Sequence, residues 1–167
     1  MIAPNRPTWD ETFMSMALVY CLRSPDPATK HGAIIVDSQH HPMGWGYNGY
    51  PKGGTIDLYP TTRPAKYRHI AHSELNALLN RTINTKGGTV YVTGHPCCGC
   101  MVAMIQASIR EIIYGKIGSH CVNKEDWDAV NLMSVDCGVK LTAYSGRYPV
   151  DIYNEVKDYL KLKEWTE

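Results

Sequence analysis

The sequence predicts an α/β fold, a mixed β-sheet flanked by helices, in a single domain over residues 1–167. Three observations predict it. Apolar residues at helical spacing alternate with short β-branched runs along most of the chain, the pattern of a sheet with helices packed against it. A hairpin pattern precedes that alternation and adds an antiparallel strand to an otherwise parallel order. The chain has 167 residues, 44% of them hydrophobic and 20% charged, which suits one ordinary core.

The elements follow in order. Thr8 with Glu11 three residues on forms a capping-box pattern, and Met14, Ala17, Leu18, Cys21 and Leu22 continue at helical spacing until Pro25 and Pro27. Ala33–Val36 reads as a short buried strand and Ser38–Pro42 as a turn. Met43–Tyr47 reads as the hairpin partner, despite two glycines that disfavour a strand. Asn48 to about Ala65 is rich in Gly, Pro, Thr and Tyr. It reads as a long ordered loop of the kind that carries function. A helix is predicted near Ser73–Asn80, closed by Gly87-Gly88, then a strand at Thr89–Thr93. Gly94-His95-Pro96 turns the chain into a helix through Ala107, followed by a strand at Glu111–Tyr114. Asn123 caps a helix near Lys124–Met133, a strand follows near Val139–Ala143, and Pro149 suits the first turn of a closing helix. The apolar face of that closing helix would be Ile152, Tyr153, Val156, Tyr159 and Leu160.

Charge and cysteine usage narrow the function. Lys plus Arg total 17 against 16 Asp plus Glu, a net charge of +1, which argues against a surface built to bind polynucleotide phosphate. It leaves a small anionic ligand open. No run of 18 apolar residues occurs and the start is polar and Pro-rich, so neither a membrane span nor secretion is expected. Of the six cysteines (21, 97, 98, 100, 121 and 137), three fall within four residues. That crowding points to metal or redox chemistry in a reducing cytoplasm rather than to a disulfide framework.

The informative residues are His72-Ser73-Glu74 and, 25 residues after the histidine, Pro96-Cys97-Cys98-Gly99-Cys100. Zinc favours thiolate and imidazole, and a catalytic zinc keeps three protein ligands with one position open. Cys97 and Cys100, at i and i+3, share one face of a helix's first turn, where the positive helix end favours thiolate. Cys98 points elsewhere, and His72 completes the set. Residues two apart on a regular helix diverge by about 200°. Glu74 can therefore reach the same site only if His72 sits at the irregular helix start, where it would serve as proton shuttle beside the open position. A Cys-x-x-Cys alone would equally suit a structural knuckle or redox pair. The other histidines, 31, 40, 41, 69, 95 and 120, read as surface or loop groups, with His95, beside the cluster, placed to tune the site but given no role.

With these motifs the chain resembles the zinc-dependent cytidine deaminase superfamily, whose signature is His-x-Glu…Pro-Cys-x-x-Cys. Within it, the chain looks most like the deoxycytidylate (dCMP) deaminases. Arg23-Ser24-x-Asp26 leading into Gly32–Val36 is similar to their opening segment, and Gly46-Tyr47-Asn48-Gly49-Tyr50-Pro51-Lys52-Gly53 to their Gly-Tyr-Asn-Gly-x-Pro-x-Gly motif. His72–Ala77, Tyr91–Thr93 and Ile109–Tyr114 follow in family order, so the resemblance covers about residues 9 to 143.

The resemblance implies a three-layer α-β-α sandwich with a central five-stranded mixed sheet, in a homohexamer. It implies hydrolysis of dCMP to dUMP and ammonia, which supplies the precursor of thymidylate. Activation by dCTP is implied, and inhibition by dTTP, with magnesium on the effector triphosphate. His72, Cys97 and Cys100 would hold the zinc and Glu74 would be catalytic. Asn48 would contact the sugar and the backbone near Ser73 the base edge. Gly46, Tyr47, Gly49 and Lys52 would belong to the effector site, and Lys52, Arg23 and Arg68 are candidate phosphate partners.

Two departures bear on these expectations. Some family members hold a second zinc with a cysteine soon after Gly-Tyr-Asn-Gly; no cysteine occurs here between Cys21 and Cys97, so one zinc per chain is expected. The base-stacking Tyr found in many members after the strand ending near Tyr114 is missing, which leaves Tyr114, then His120, as the stacking candidate. Two other functions compete. A deaminase of tRNA adenosine or single-stranded DNA cytosine needs a basic, aromatic groove, which net +1 and one Phe do not suggest. A non-catalytic, zinc-stabilised nucleotide-binding regulator would have no use for an acid beside its zinc.

Overall fold

The structure, a computed structural model, describes residues 6–117 and 123–152. Helix α1 (Trp9–Cys21) starts at the expected box: the Glu11 amide donates to Thr8 Oγ1 at 3.2 Å, and the Thr8 amide donates to Glu11 Oε2 at 2.8 Å. Strands β1 (Gly32–Val36) and β2 (Pro42–Tyr47) form the hairpin, closed by a turn in which His40 takes φ 68°. Helix α2 (Ser73–Leu79) leads to β3 (Thr89–Val92), α3 (Cys98–Gln106), β4 (Glu111–Tyr114), α4 (Lys124–Asp136) and β5 (Lys140–Ala143).

The five strands lie in the order β2-β1-β3-β4-β5. β1 runs antiparallel to both β2 and β3, whereas β3, β4 and β5 are mutually parallel, so the sheet is mixed as expected. Alternation along β1 divides the core. Ile34 and Val36 face α1 and meet Phe13, Met14 and Ala17, with Tyr91 and Ile113 beside them. Ala33 and Ile35 face the opposite side, where Ala77 and Leu78 of α2, Met101 and Met104 of α3, and Val130 of α4 pack together. The result is three layers, with α1 on one face of the sheet and α2, α3 and α4 on the other. Each fully buried Ile, Met or Phe contributes about 1.5–3 kcal/mol relative to exposure.

The two glycines of β2 have a packing reason. A Cβ on Gly46 would stand 2.4 Å from the Ser73 carbonyl oxygen and 2.4 Å from the Ala77 nitrogen, and one on Gly44 would stand 2.5 Å from the Ala77 carbonyl oxygen. Their bare backbone lets α2 lie directly on β2, and the position of the first turn of α2 follows from that approach.

Three boundaries differ from the sequence reading. α2 ends at Leu79 with Asn80 as its cap, and Gly87-Gly88 lead into β3 seven residues later. The long loop contains two 3-10 turns, Ile56–Leu58 and Ala65–Arg68, the second begun by Pro64. α4 runs one turn past Met133, carried by its Asn123 cap and continued hydrogen bonding to Cys137. Residues 149–152 are helical; Tyr153, Val156, Tyr159 and Leu160, proposed for the rest of that face, lie outside the described residues. No described helix is long and apolar enough to cross a membrane.

Candidate metal centre

The C-terminal end of β3 assembles the site, as expected where strand ends open between helices. After Val92 the chain turns through Thr93–Pro96 into α3, with Cys97 as its N-cap in extended backbone and Cys100 on its first turn. His72 is likewise the N-cap of α2, with φ −74° and ψ 159°. This non-helical residue resolves the 200° problem, because the imidazole leaves an extended backbone while Glu74 sits inside the first turn. His72 Nδ1 lies 3.3 Å from Cys97 Sγ and 3.5 Å from Cys100 Sγ, and the three ligand atoms fall within 4.8 Å of one another. A tetrahedral zinc with bonds of about 2.0–2.3 Å spaces its donors roughly 3.6 Å apart, so the set fits that ion. Cys98 is turned away, its Sγ donating to the Asp126 carbonyl at 3.6 Å.

Electrostatics points the same way. The bond to Cys97 holds His72 above its ordinary pKa while burial opposes it. The bond to Cys97, burial and the neighbouring Glu74 push the Cys100 thiol up. The Cys100 thiol and the Glu74 carboxyl resist ionisation where they are enclosed; a divalent cation reverses that pressure and takes the imidazole neutral and the sulfurs as thiolates. Glu74 is 6% exposed, and burial raises its carboxyl above the ordinary range against the pull of His72. Ser73 Oγ donates to Glu74 Oε2 at 2.9 Å and fixes the carboxylate's orientation.

A cavity opens beside His72, Ser73, Glu74 and Cys97, and Asn48 also lines it. The Asn48 side chain is braced by backbone: Oδ1 accepts from the His31 amide at 2.7 Å, and Nδ2 donates to the Thr29 carbonyl at 2.9 Å. One Nδ2 hydrogen is left over from that arrangement. Gly46, Tyr47, Gly49 and Lys52 do not line this cavity. Gly46 lies beneath α2, the Tyr47 carbonyl accepts from Asn76 Nδ2 at 2.7 Å, Gly49 pairs with Ala71, and Lys52 is exposed. Arg23 and Arg68 are exposed and also stand outside the lining. Tyr114 does not line it either: its ring meets His95 edge-on at 4.8 Å. His120 lies outside the described residues.

Several lining residues escaped the sequence reading. His95 is buried at 8% exposure, packed between Tyr114 and Trp127, with neither ring nitrogen hydrogen-bonded to the protein. His31 also lines the cavity, its Nδ1 3.2 Å from Thr93 Oγ1. Both stand in loop segments, as expected, but they face the cavity and not the open surface. The place of His95 beside Pro96-Cys97 already marks it in the sequence, whereas His31 reaches the site only because β1 pairs antiparallel with β3. Asp26 and Lys66 form a buried ion pair on the wall. Lys66 Nζ lies 2.7 and 2.9 Å from the two carboxylate oxygens, and Asp26 also accepts from the Ala28 and Thr29 amides. Burial works to raise the Asp26 pKa, but these bonds leave it lowered.

Residues 7–116 match the family model described as the cytidine and deoxycytidylate deaminase zinc-binding region. The chain belongs to that deaminase family. Mouse deoxycytidylate deaminase is 36% identical over 147 residues, 84% of this chain and 82% of the mouse protein. The human deoxycytidylate deaminase is 41% identical over 113 residues, 64% of each chain. Among solved structures, the dCMP deaminase of cyanophage S-TIM5 in apo form superposes with a TM-score of 0.65 at 22% identity, covering 83% of this chain and 99% of the phage chain. The same phage enzyme in complex with dCMP and dUMP gives 0.64 at 23% identity, covering 83% and 98%. These likenesses place the three-layer fold within the deaminases. Zinc binding accords with both the family description and the His-Cys-Cys cluster.

Proposed function

We propose that this family member, as one domain, hydrolyses dCMP to dUMP and ammonia in the cavity beside His72, Cys97 and Cys100. The observation that carries the reading is the buried Glu74 carboxyl, oriented by Ser73 next to a three-donor cluster. A closed structural zinc has no need of it. The deoxycytidylate deaminase names of the mouse and human relatives, and the phage enzyme's dCMP and dUMP complex, support the substrate.

His72, Cys97 and Cys100 would hold one zinc, which supplies a water acidified to about neutral pH as the nucleophile toward C4 of the cytosine. Glu74 would take one proton from the attacking water and deliver it to ring N3. It would then carry the second, from the new C4 hydroxyl, to the amino nitrogen, so that the C4–N bond breaks, ammonia leaves and the C4 carbonyl of dUMP forms. Its burial suits the role, since a carboxylate with raised proton affinity accepts a proton more readily than an exposed one. The backbone near Ser73 meets the base edge, and the remaining Nδ2 hydrogen of Asn48 is offered to the deoxyribose. Asn48 is held by two backbone groups, so this contact is pre-oriented and costs little side-chain entropy on binding.

The regulatory part rests on the resemblance. Gly46, Tyr47, Gly49 and Lys52 would contribute to an effector site outside the catalytic cavity in a cytoplasmic homohexamer, with dCTP activating and dTTP inhibiting as magnesium complexes. A panel of dCMP, CMP, deoxycytidine and dCTP, assayed for ammonia with and without dCTP and dTTP, tests both parts. Turnover confined to dCMP and moved in opposite directions by the two triphosphates supports them. Turnover of deoxycytidine at the rate of dCMP contradicts the substrate assignment.

A further inference from the structure

The cavity has a charge problem. Its proposed substrate carries a phosphate dianion, yet Lys66 is the only lysine or arginine among the described residues that line it. Lys66 is 2% exposed, and both oxygens of Asp26 already take its ammonium, at 2.7 and 2.9 Å. The pair is neutral as a unit. Drawing Lys66 away toward a phosphate would strand a buried carboxylate. Glu74 adds a carboxylate, and a zinc held by His72, Cys97 and Cys100 would have its charge offset by its two thiolates. A nucleotide monophosphate in this cavity therefore takes its counter-charge from beyond the wall.

Among the described residues, a cation outside the lining bonds directly to the rim. Arg63 is exposed and outside the lining, but both groups it touches line the cavity: its Nη2 donates to Thr29 Oγ1 at 3.0 Å, and its guanidinium carbon lies 5.8 Å from the centre of the Tyr67 ring. Arg63 makes no ion pair among the described residues. Guanidinium offers five donors in a planar fork that matches phosphate oxygens, and one bond to a hydroxyl leaves most of them unspent. Ring and hydroxyl hold the head near the opening, so little freedom is lost when an anion arrives.

We propose that Arg63 is the specificity-determining residue that binds the substrate's phosphate and separates nucleotide from nucleoside. Lys52, Arg23 and Arg68, the candidates suggested by sequence, have no contact with a cavity-lining side chain among the interactions described, whereas Arg63 has two. The proposal rests on the deaminase reading above, so its test needs a readout independent of turnover.

Zinc-loaded wild type, Arg63→Gln and Arg63→Lys are compared for calorimetric binding of dUMP against deoxyuridine, and for kcat and KM on dCMP. Wild type is expected to bind dUMP more tightly than deoxyuridine. Arg63→Gln should weaken dUMP roughly 10- to 100-fold while leaving deoxyuridine unchanged, the scale of a charge-assisted bond. Arg63→Lys should fall between the two, because it keeps the charge and loses the fork. The loss of catalytic efficiency on dCMP should appear in KM rather than kcat, with zinc content intact. Retained dUMP preference in Arg63→Gln overturns the proposal. So does a loss of preference that appears in Arg23→Gln or Arg68→Gln with Arg63→Gln unaffected. Failure of the wild type to release ammonia from dCMP would count against the deaminase reading alone, because the dUMP comparison still decides the role of Arg63.

Discussion

Replacing Lys66 by Met breaks the ion pair on the cavity wall and leaves the Asp26 carboxylate enclosed. The side chains of the pair are 2% and 3% exposed, so solvent screens them little. At an effective dielectric of about 20, the 2.7 Å contact is worth roughly 6 kcal/mol before desolvation of both ions is subtracted. Breaking pairs of this kind costs about 3–5 kcal/mol, because the remaining charge has no counter-ion. The Ala28 and Thr29 amides still bond to Asp26 and offset part of that cost, which places Lys66→Met near the lower end, at about 3 kcal/mol. Domain stabilities of about 5–15 kcal/mol make this a large fraction. Urea unfolding at constant zinc reads the loss. The double variant Asp26→Asn with Lys66→Met should recover at least about 1 kcal/mol of it, since the stranded charge is gone. A loss below about 1 kcal/mol for the single variant, or no recovery in the double, would refute the reasoning.

Two further predictions concern metal and pH. His72→Ala, Cys97→Ser and Cys100→Ser should each bring zinc far below one per chain by metal analysis, whereas Cys98→Ser, whose sulfur bonds Asp126, should keep it; two zincs per wild-type chain would contradict the ligand set. Glu11 accepts from the Arg147 backbone amide and from Nε and Nη2 at 2.8–3.1 Å, and the Arg147 side chain, acting against burial, brings its pKa down to about 2. A folded pKa below the unfolded one stabilises fully above about pH 4.5 and is lost as pH falls toward about 2, a contribution of at most about 3 kcal/mol. The stability difference between wild type and Glu11→Gln, at equal zinc, should therefore shrink between pH 5 and pH 2.5, and a difference that stays constant would contradict it.

Much of the fold was legible because local chemistry and tertiary packing agree. Thr8 and Glu11 announce α1, Asn123 announces α4, and the β-branched runs at 33–36 and 89–92 are strands buried on both faces. Gly44 and Gly46 argued against a strand on propensity, and the strand exists because α2 needs their bare backbone. The metal ligands and Glu74 were readable since each lies within a short motif, and the extended backbone at His72 is the irregularity their spacing demanded. The rest of the wall was hidden. Asp26 with Lys66, Thr29 with Arg63, and His31 with Thr93 are separated by 34 to 62 residues, so only the strand order and the course of the long loop bring them together. His95 carried a positional hint and no periodic one.

Glu74→Gln in the zinc-loaded protein puts the whole account to its most direct trial. The substitution preserves shape and, with it, the bond from Ser73, while removing the group that accepts and returns protons. With zinc content verified as unchanged, ammonia release from dCMP is predicted to fall on the order of 10²- to 10⁴-fold. Release within a few-fold of wild type would contradict it.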